Sequence, residues 1–289
     1  GYFGLSFGEL GKLTKVQYDK SHDAVWWKAW WATHKENFPT AADIPISEVQ
    51  MPAQANPSTD PLSDVADVPA QDVLIDDDKQ KRYFLVGSTD SAPESGYKLA
   101  IVMPGGDGGE DFHPFVRRIY KNVLDESWLV AQPVAVQWDD QQEIVWPKKT
   151  DALPYAKFTT EDLVDIVITD VQKQHQINKK HIVTLSWSSS GPAAYATALR
   201  EDSPITGSYI AMSVFRPSFY ESIEAAKGRR FVIEHSPDDN LCPYAMSVTA
   251  EEALKSAGAD VKRLTYSGGH GWRGNVYGRI NDGMTWLVR

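Results

Sequence analysis

The sequence predicts an α/β fold with a mostly parallel sheet covered by helices on both faces. Short segments that are apolar along their whole length alternate with helical segments, as is typical of parallel strands buried on both sides. Glycine- or serine-rich turns follow several of these strands. The chain has 289 residues, 42% of them hydrophobic, which suffices for one large domain with a small appendage.

The first 38 residues form a separate segment, which we predict to be helical. Trp26 and Trp30, like Trp27 and Trp31, are spaced four residues apart, so the four rings form an aromatic stripe on one helix. Asp23 stands near the start of this helix. We expect the helix to pack on the main domain or on a partner, with stacking on sugar rings as the alternative.

Residues 39–70 are rich in Pro, Ala, Ser and Asp and are predicted to be an extended linker over the surface. The main domain then covers residues 71–289. It begins with strands at 73–75 and 82–86, predicted to form an antiparallel pair at the sheet edge. The parallel strands follow at 99–103, 128–132 with 134–137, 181–185, 207–212, 230–235 and 261–266. Helices are predicted at 161–174 (with Thr159 or Thr160 as the N-cap), 192–199, 244–257 and about 278–288.

The segment LSWSSSG at 185–191 joins a β-rich strand to a helix that begins with Pro192. A serine at such a hinge, with small residues two positions before and after it, is suited to act as an exposed nucleophile. Ser188 fits best, because Ser186 and Ser190 flank it. Ser189 would bring Trp187, and Ser190 would bring Pro192, into a position that needs a small side chain. Ser186 as nucleophile would shorten the strand, and a serine-rich helix cap is the non-catalytic alternative.

Two further loops follow strands later in the chain and carry the other candidate groups. The loop after 230–235 contains Asp238 and Asp239, either of which is also an ordinary turn residue. His270 lies between glycines just past the strand at 261–266, where the flexible backbone lets its imidazole reach a serine hydroxyl. A carboxylate, a histidine and a serine together would form an activated nucleophile.

The strand at 99–103 ends in PGGDGG at 104–109. Glycines permit close approach and unusual dihedral angles, so this loop can aim free backbone N–H groups at a developing oxyanion. By position, Gly106 or Asp107 would supply one N–H group and Ser189 the other. A phosphate-binding loop is disfavoured, since neither G-K-[ST] nor G-x-G-x-x-G is present.

Taken together, these motifs make residues 80–289 resemble the serine esterases of the α/β-hydrolase superfamily. The pieces that match are the loop at 104–109, LSWSSSG at 185–191, HSPDDNLCP at 235–243 and GGHGW at 268–272. The resemblance is to the carboxylesterase and polyhydroxybutyrate-depolymerase-like group, with its acetyl and feruloyl esterases. Serines at 186 and 190 replace the glycines that this family usually has two positions before and after the nucleophile. The family's strand-loop pattern H-G-x-x-D-x-x-V-P implies that Asp239 is the triad acid.

The resemblance implies a cofactor-free and metal-free hydrolysis of carboxylic esters, short-chain or linked to a polymer. Ser188 would attack, His270 would move the proton and Asp239 would orient His270. Trp146, Trp187 and Trp272 are candidates to line the substrate cleft. Two alternatives stay open: a serine peptidase of the prolyl-oligopeptidase-like branch, and a hydrolase fold that binds without catalysis.

Composition and net charge exclude some classes of binding partner. The net charge of −10, without a basic cluster, argues against nucleic acid as a partner, and no apolar run is long enough to span a membrane. The single cysteine, Cys242, excludes an internal disulfide. The chain starts at Gly1 without a leader, as a processed or trimmed chain would, and we expect a secreted or periplasmic protein.

Overall fold

The computed structural model describes Ala29, residues 32–34 and residues 62–289. The chain divides into two compact units, 1–60 and 61–289, and the fold described here is that of the second. The four tryptophans of the predicted N-terminal helix and residues 39–61 of the predicted linker lie outside the described residues.

Eight strands form one sheet in the order β1-β2-β4-β3-β5-β6-β7-β8. β1 pairs with β2, and β2 with β4, in antiparallel fashion, whereas all other neighbours are parallel. The mostly parallel sheet predicted from the apolar strands is confirmed. The strands are β1 Ala70–Leu74, β2 Arg82–Val86, β3 Tyr97–Met103, β4 Trp128–Pro133, β5 Ile177–Trp187, β6 Gly207–Ala211, β7 Arg230–His235 and β8 Asp260–Thr265.

Five helices of the described residues cover the two faces of the sheet. They are α1 His113–Val123, α2 Thr160–Gln174, α3 Gly191–Ala198, α4 Ala245–Ser256 and α5 Val276–Leu287. The apolar side chains of α1 and α5 pack with one face of the strands, and those of α2, α3 and α4 pack with the other face. A helix layer on each side explains why most positions of the central strands are buried.

Thr159, one of the two residues predicted as the N-cap, caps α2. The Asp162 N–H group donates to Thr159 Oγ1 at 3.3 Å, and the Thr159 N–H group donates to Asp162 Oδ2 at 2.9 Å. This reciprocal pair is a capping box, which satisfies backbone donors that the first turn of a helix leaves free.

Two predicted strands differ from those observed. The strand predicted at 134–137 is wrong, because β4 ends at Pro133. Pro133 pairs with Tyr83, near the start of β2. The first strand covers Ala70–Leu74 instead of 73–75, since the chain turns at Ile75–Asp77 with positive φ at Asp76 and Asp77.

The end of the predicted linker packs against the main domain. Val65, in the short 3-10 helix Ser63–Val65, and Val68 are buried among the residues of the α1 face. Arg117 Nη2 on α1 donates to the backbone carbonyls of Val65 and Val68 at 2.8 and 2.6 Å. Among the described residues, no helix has the length and apolar character needed to cross a bilayer.

Candidate active site

Ser188 stands in a strained turn between β5 and α3. β5 ends at Trp187, a 3-10 turn covers Ser188–Ser190, and α3 begins at Gly191. Ser188 has a φ of +56°, a value that non-glycine residues adopt rarely and at a cost. This turn lifts the Ser188 side chain above the carboxyl edge of the parallel strands, where ligands of open α/β sheets bind.

The serines that replace the usual glycines at 186 and 190 are fully buried, and both hydroxyls have partners. Ser190 Oγ donates to Met103 O at 2.7 Å and accepts from the Trp187 N–H group at 3.1 Å. Ser186 Oγ donates to Tyr209 O at 3.3 Å. These bonds offset the desolvation of the two hydroxyls, so the exchange from glycine is accommodated.

Behind the turn, α3 approaches β6 so closely that Gly191 has no room for a side chain. A Cβ atom at Gly191 would lie 2.0 Å from Ser213 Oγ. The same Ser213 hydroxyl donates to Ser188 O at 2.7 Å. Ser213 therefore holds the carbonyl of the strained residue.

Ser188, His270 and Asp239 form a continuous chain of hydrogen-bonded side chains. Ser188 Oγ lies 3.0 Å from His270 Nε2, and His270 Nδ1 lies 2.9 Å from Asp239 Oδ2. The Asp239 side chain is fully buried, whereas that of His270 is 22% exposed. The hydroxyl and the imidazole can thus be reached by a substrate while the carboxylate is shielded from water.

Asp239 is held by its own loop. Its Oδ1 accepts the backbone N–H groups of Leu241 and Cys242 at 2.9 and 2.8 Å. His235 Nε2, at the end of β7, lies 3.1 Å from Asp239 Oδ2. The carboxylate is oriented by the backbone on one oxygen and faces two imidazoles with the other.

The loop that carries His270 is fastened to the loop that carries Asp239. The Gly269 N–H group donates to Ser236 Oγ at 3.1 Å, and the Gly268 N–H group donates to Asp238 Oδ2 at 3.3 Å. Gly268 and Gly269 both have positive φ, so the glycines predicted to shape this loop are required by its backbone. Asp238, the other candidate acid, accepts from this loop, and within the described residues it is Asp239 that bonds to the His270 ring.

The glycine-rich loop after β3 packs directly on the Ser188 turn. A Cβ atom at Gly105 would lie 2.7 Å from Trp187 O and 3.0 Å from Ser188 Cβ. The Gly108 N–H group donates to Gly105 O at 3.0 Å, so Gly106 and Asp107 occupy the centre of a turn, with a φ of +62° at Gly106. Both residues are exposed, and within the described chain no hydrogen bond uses their backbone N–H groups.

Ser189 fixes the orientation of one peptide in this loop. Its hydroxyl donates to Gly106 O at 2.8 Å. Because the peptide is trans, the N–H group of Asp107 points away from the Ser189 hydroxyl. This orientation favours Gly106 over Asp107 as the predicted N–H donor to an oxyanion. The Gly106 N–H group belongs to the peptide that joins Gly105 to Gly106, and Gly105 packs on Ser188.

Comparison with solved structures shows likeness over about three quarters of the chain. An α/β-hydrolase enzyme from a Medee basin deep-sea metagenome library matches with a TM-score of 0.56 at 14% identity, covering 76% of this chain and 96% of that one. The fluorophosphonate-binding serine hydrolase F of Staphylococcus aureus matches with a TM-score of 0.53 at 12% identity, covering 77% and 98%. An esterase of the fungus Rhizomucor miehei matches with a TM-score of 0.59 at 13% identity, covering 78% and 84%.

The fold is that of the α/β-hydrolases. At these identities the likeness establishes the architecture, and the chemistry has to be argued from the site itself. No protein family model matches the sequence.

The three tryptophans predicted to line the cleft of this α/β-hydrolase fold lie in different settings. Trp146 is buried behind the glycine-rich loop, where its Nε1 donates to Pro104 O at 2.9 Å and its ring fills the space beside Gly108. Trp187 is also buried, and its ring centroid lies 5.7 Å from that of Trp272. Trp272 is partly exposed.

The tryptophans at 187 and 272 belong to a larger aromatic cluster, which consists of Phe112, Phe115, Trp187, Trp272 and Tyr277. The cluster extends from α1 to α5. Phe112 also approaches Gly106 of the glycine-rich loop, because a Cβ atom there would lie 3.4 Å from its ring. The cluster joins three elements of the site, namely that loop, the end of β5 and the His270 loop.

The potential metal ligands Asp239, Cys242 and His270 come within 4.8 Å of one another. Burial, reinforced by the Asp239 charge, raises the pKa of Cys242 to about 12. The Asp239 oxygens already accept from two backbone N–H groups and face the His270 ring, so the described contacts of this carboxylate are those of a hydrogen-bonded chain of side chains.

Sequence reasoning missed several contacts of the site. It indicated no partner for His235 or for Ser213. It considered Ser189 only for its backbone N–H group. Each of these contacts spans at least 7 residues of sequence or joins separate strands, so local spacing carries no signal for it.

Proposed function

We propose that this protein is a serine hydrolase of carboxylic esters, with Ser188, His270 and Asp239 as its catalytic triad. The observation that carries the proposal is the chain of hydrogen bonds from Ser188 Oγ through the His270 ring to Asp239 Oδ2, at 3.0 and 2.9 Å. The positive φ of Ser188 and the free N–H groups beside it support the same conclusion. The likeness to a serine hydrolase and to an esterase agrees with it.

In this mechanism His270 Nε2 accepts the Ser188 hydroxyl proton as Oγ attacks the acyl carbon. Asp239 keeps the other ring nitrogen protonated and stabilises the imidazolium that forms. The N–H groups of Ser189 and of Gly106, with Asp107 as the alternative to Gly106, hold the negative oxygen of the tetrahedral intermediate. His270 then gives the proton to the leaving alcohol.

Deacylation repeats these steps with water in place of the alcohol. His270 removes a proton from water, the hydroxide adds to the acyl carbon, and Ser188 leaves with the proton that His270 returns. The carboxylic acid is released and the starting protonation states are restored. No step requires a cofactor.

We propose short-chain or polymer-linked esters as the substrates. The residues around Ser188 include the partly exposed Trp272, which offers an apolar surface to an acyl or alcohol group. A peptidase would use the same groups on an amide, so both bond types belong in the test.

The deciding experiment compares the wild-type protein with Ser188→Ala on p-nitrophenyl acetate, butyrate and octanoate, and on a peptidyl p-nitroanilide. We expect ester turnover by the wild type and a loss of at least about 10³-fold in Ser188→Ala, since removal of the nucleophile leaves only binding and oxyanion contributions. A fluorophosphonate should label Ser188, as mapped by peptide mass.

Ser186→Ala is the matched control, because Ser186 is the competing serine two residues away and is fully buried. It should retain turnover and labelling. Turnover that survives Ser188→Ala would contradict the assignment of the nucleophile. A folded wild type that neither turns over nor takes the label would favour a binding protein instead.

A further inference from the structure

A second histidine, His235, lies beside the proposed triad and has no part in the mechanism so far. Its side chain is 1% exposed and sits at the end of β7. Nε2 lies 2.8 Å from Cys242 O and 3.1 Å from Asp239 Oδ2. Nδ1 is buried and has no hydrogen-bond partner among the described residues.

These contacts determine the tautomer of the ring. Two oxygens converge on Nε2, so this nitrogen carries the hydrogen and donates to Cys242 O. Nδ1 is buried with no acceptor among the described residues, so the contacts fix the tautomer with the hydrogen on Nε2.

The hydrogen bond from His235 to Cys242 completes a closed set of hydrogen-bonded groups around the Asp239 carboxylate. The Cys242 N–H group donates to Asp239 Oδ1 at 2.8 Å, and the carbonyl of the same residue accepts from His235. His235 therefore holds Cys242, and Cys242 holds one oxygen of the carboxylate. This arrangement leaves Asp239 Oδ2 directed at His270 Nδ1.

We propose that His235 is a positioning residue for ester hydrolysis, whose Nε2–H group orients Asp239 through Cys242 and offsets part of the carboxylate charge. The proposal rests on the proposed function. It concerns a group that touches neither the substrate nor the reacting atoms. Groups that orient metal-binding histidines and carboxylates typically change activity by about 10- to 100-fold, and we expect an effect of the same order here.

The test compares His235→Leu, which removes the donor, with His235→Gln, whose side-chain amide offers an N–H group at similar reach. We expect His235→Leu to lower kcat on p-nitrophenyl acetate by about 10- to 100-fold with KM within about twofold. His235→Gln should recover kcat to within about threefold of the wild type, because one hydrogen bond is replaced by another.

The pH profile gives a readout that a merely structural role would not move. In His235→Leu the Asp239 carboxylate lacks the nearby N–H dipole and stabilises the His270 imidazolium more strongly. We expect the acid limb of kcat/KM to move to higher pH. The other titratable groups around the pair are Tyr244, which packs on the His235 ring, and Asp238, Cys242, His270 and Tyr266; none of them is substituted in either variant, so a shift reports on His235.

The rate of fluorophosphonate labelling at Ser188 separates this proposal from the proposed function. If the wild type neither hydrolyses esters nor takes the label, the proposed function fails. If the wild type does both and His235→Leu keeps its kcat and its acid limb, the positioning role is overturned. Equal losses in both variants, with melting temperatures lowered to the same extent, would also overturn it by showing a role in folding alone.

Discussion

At the residue scale, the site depends on strain at Ser188 that its neighbours hold in place. A φ of +56° costs on the order of 1 kcal/mol or more for a residue with a side chain. The Ser213 hydroxyl on the Ser188 carbonyl, and the Ser190 hydroxyl between Met103 O and the Trp187 N–H group, oppose relaxation of the turn. Ser213 and Ser190 thus brace the turn at Ser188.

Ser189→Ala tests whether the Ser189 hydroxyl orients the glycine-rich loop after β3. The substitution keeps the backbone N–H group of residue 189 but removes the hydroxyl that binds Gly106 O at 2.8 Å. Loss of one hydrogen bond of about 1 kcal/mol should free the Gly106 peptide and lower kcat by about fivefold to tenfold, with little change in KM. Steady-state kinetics on p-nitrophenyl acetate measure this.

Ser189→Thr is the control, since it keeps the hydroxyl and should stay close to wild-type kcat. If Ser189→Ala is as active as the wild type, the Ser189 hydroxyl does not orient the glycine-rich loop.

At the element scale, α1 links the glycine-rich loop to the antiparallel edge of the sheet. His113, its first residue, stacks on Phe84 of β2 with ring centroids 4.1 Å apart, and its Nδ1 lies 3.1 Å from Gln132 Oε1 of β4. Burial lowers the pKa of His113 below its ordinary 6.5, against an opposing hydrogen bond to Gln132. The start of α1 therefore packs best with a neutral imidazole.

His113→Gln tests the pH dependence of this contact. Because the folded-state pKa is lowered, the unfolded chain takes up the proton first as the pH falls. The stabilisation by neutral His113 is present above about pH 6.5 and is lost on acidification through the folded-state pKa. We expect the wild type to lose more unfolding free energy between pH 7.5 and pH 5 than the variant, as measured by urea denaturation.

Other groups that titrate in this range contribute to both proteins and cancel in the difference. If the two stability curves run parallel between pH 7.5 and pH 5, His113 is not held neutral by the fold.

At the scale of the whole molecule, a buried ionic network joins the strands to the last helix. Glu234 of β7 is fully buried, accepts from Tyr209 Oη of β6 and pairs with Arg279 of α5. Arg279 also donates to Arg273 O at 2.7 Å, in the segment that follows His270. The network therefore connects the core with the loop that carries the proposed base.

Glu234→Gln should be strongly destabilising, because it leaves the Arg279 guanidinium without its buried counter-charge. We expect a loss of about 3 kcal/mol in unfolding free energy and a lower melting temperature. Asp282→Asn is the matched control, since it removes the Asp282–Lys262 pair, which joins α5 to β8 at 2.6 Å but is solvent-exposed.

The control should cost less than about 1 kcal/mol. Equal losses in Glu234→Gln and Asp282→Asn would contradict a special role of the buried network.

Most of the parallel sheet could be predicted from local patterns. The strand at 230–235 lies between turn signals and is buried on both faces, whereas the strand predicted at 261–266 is at the edge of the sheet and carries charged, partly exposed side chains. The errors fell where the end of a partner strand or a turn decided the outcome. β4 ends at Pro133, opposite Tyr83 near the start of β2, and Asp76 and Asp77 turn the chain after β1.

The sequence by itself determined the order of the chemistry-bearing loops, since Ser188, Asp239 and His270 each come just after a predicted strand. Only the tertiary structure decided how these loops hold one another. The hydroxyl of Ser189 on Gly106 and the hydroxyl of Ser213 on Ser188 join loops from different strands, and the imidazole of His235 on Cys242 closes the loop that carries Asp239. The distances and angles of such bonds depend on strand order and register, which are set by packing across the whole sheet.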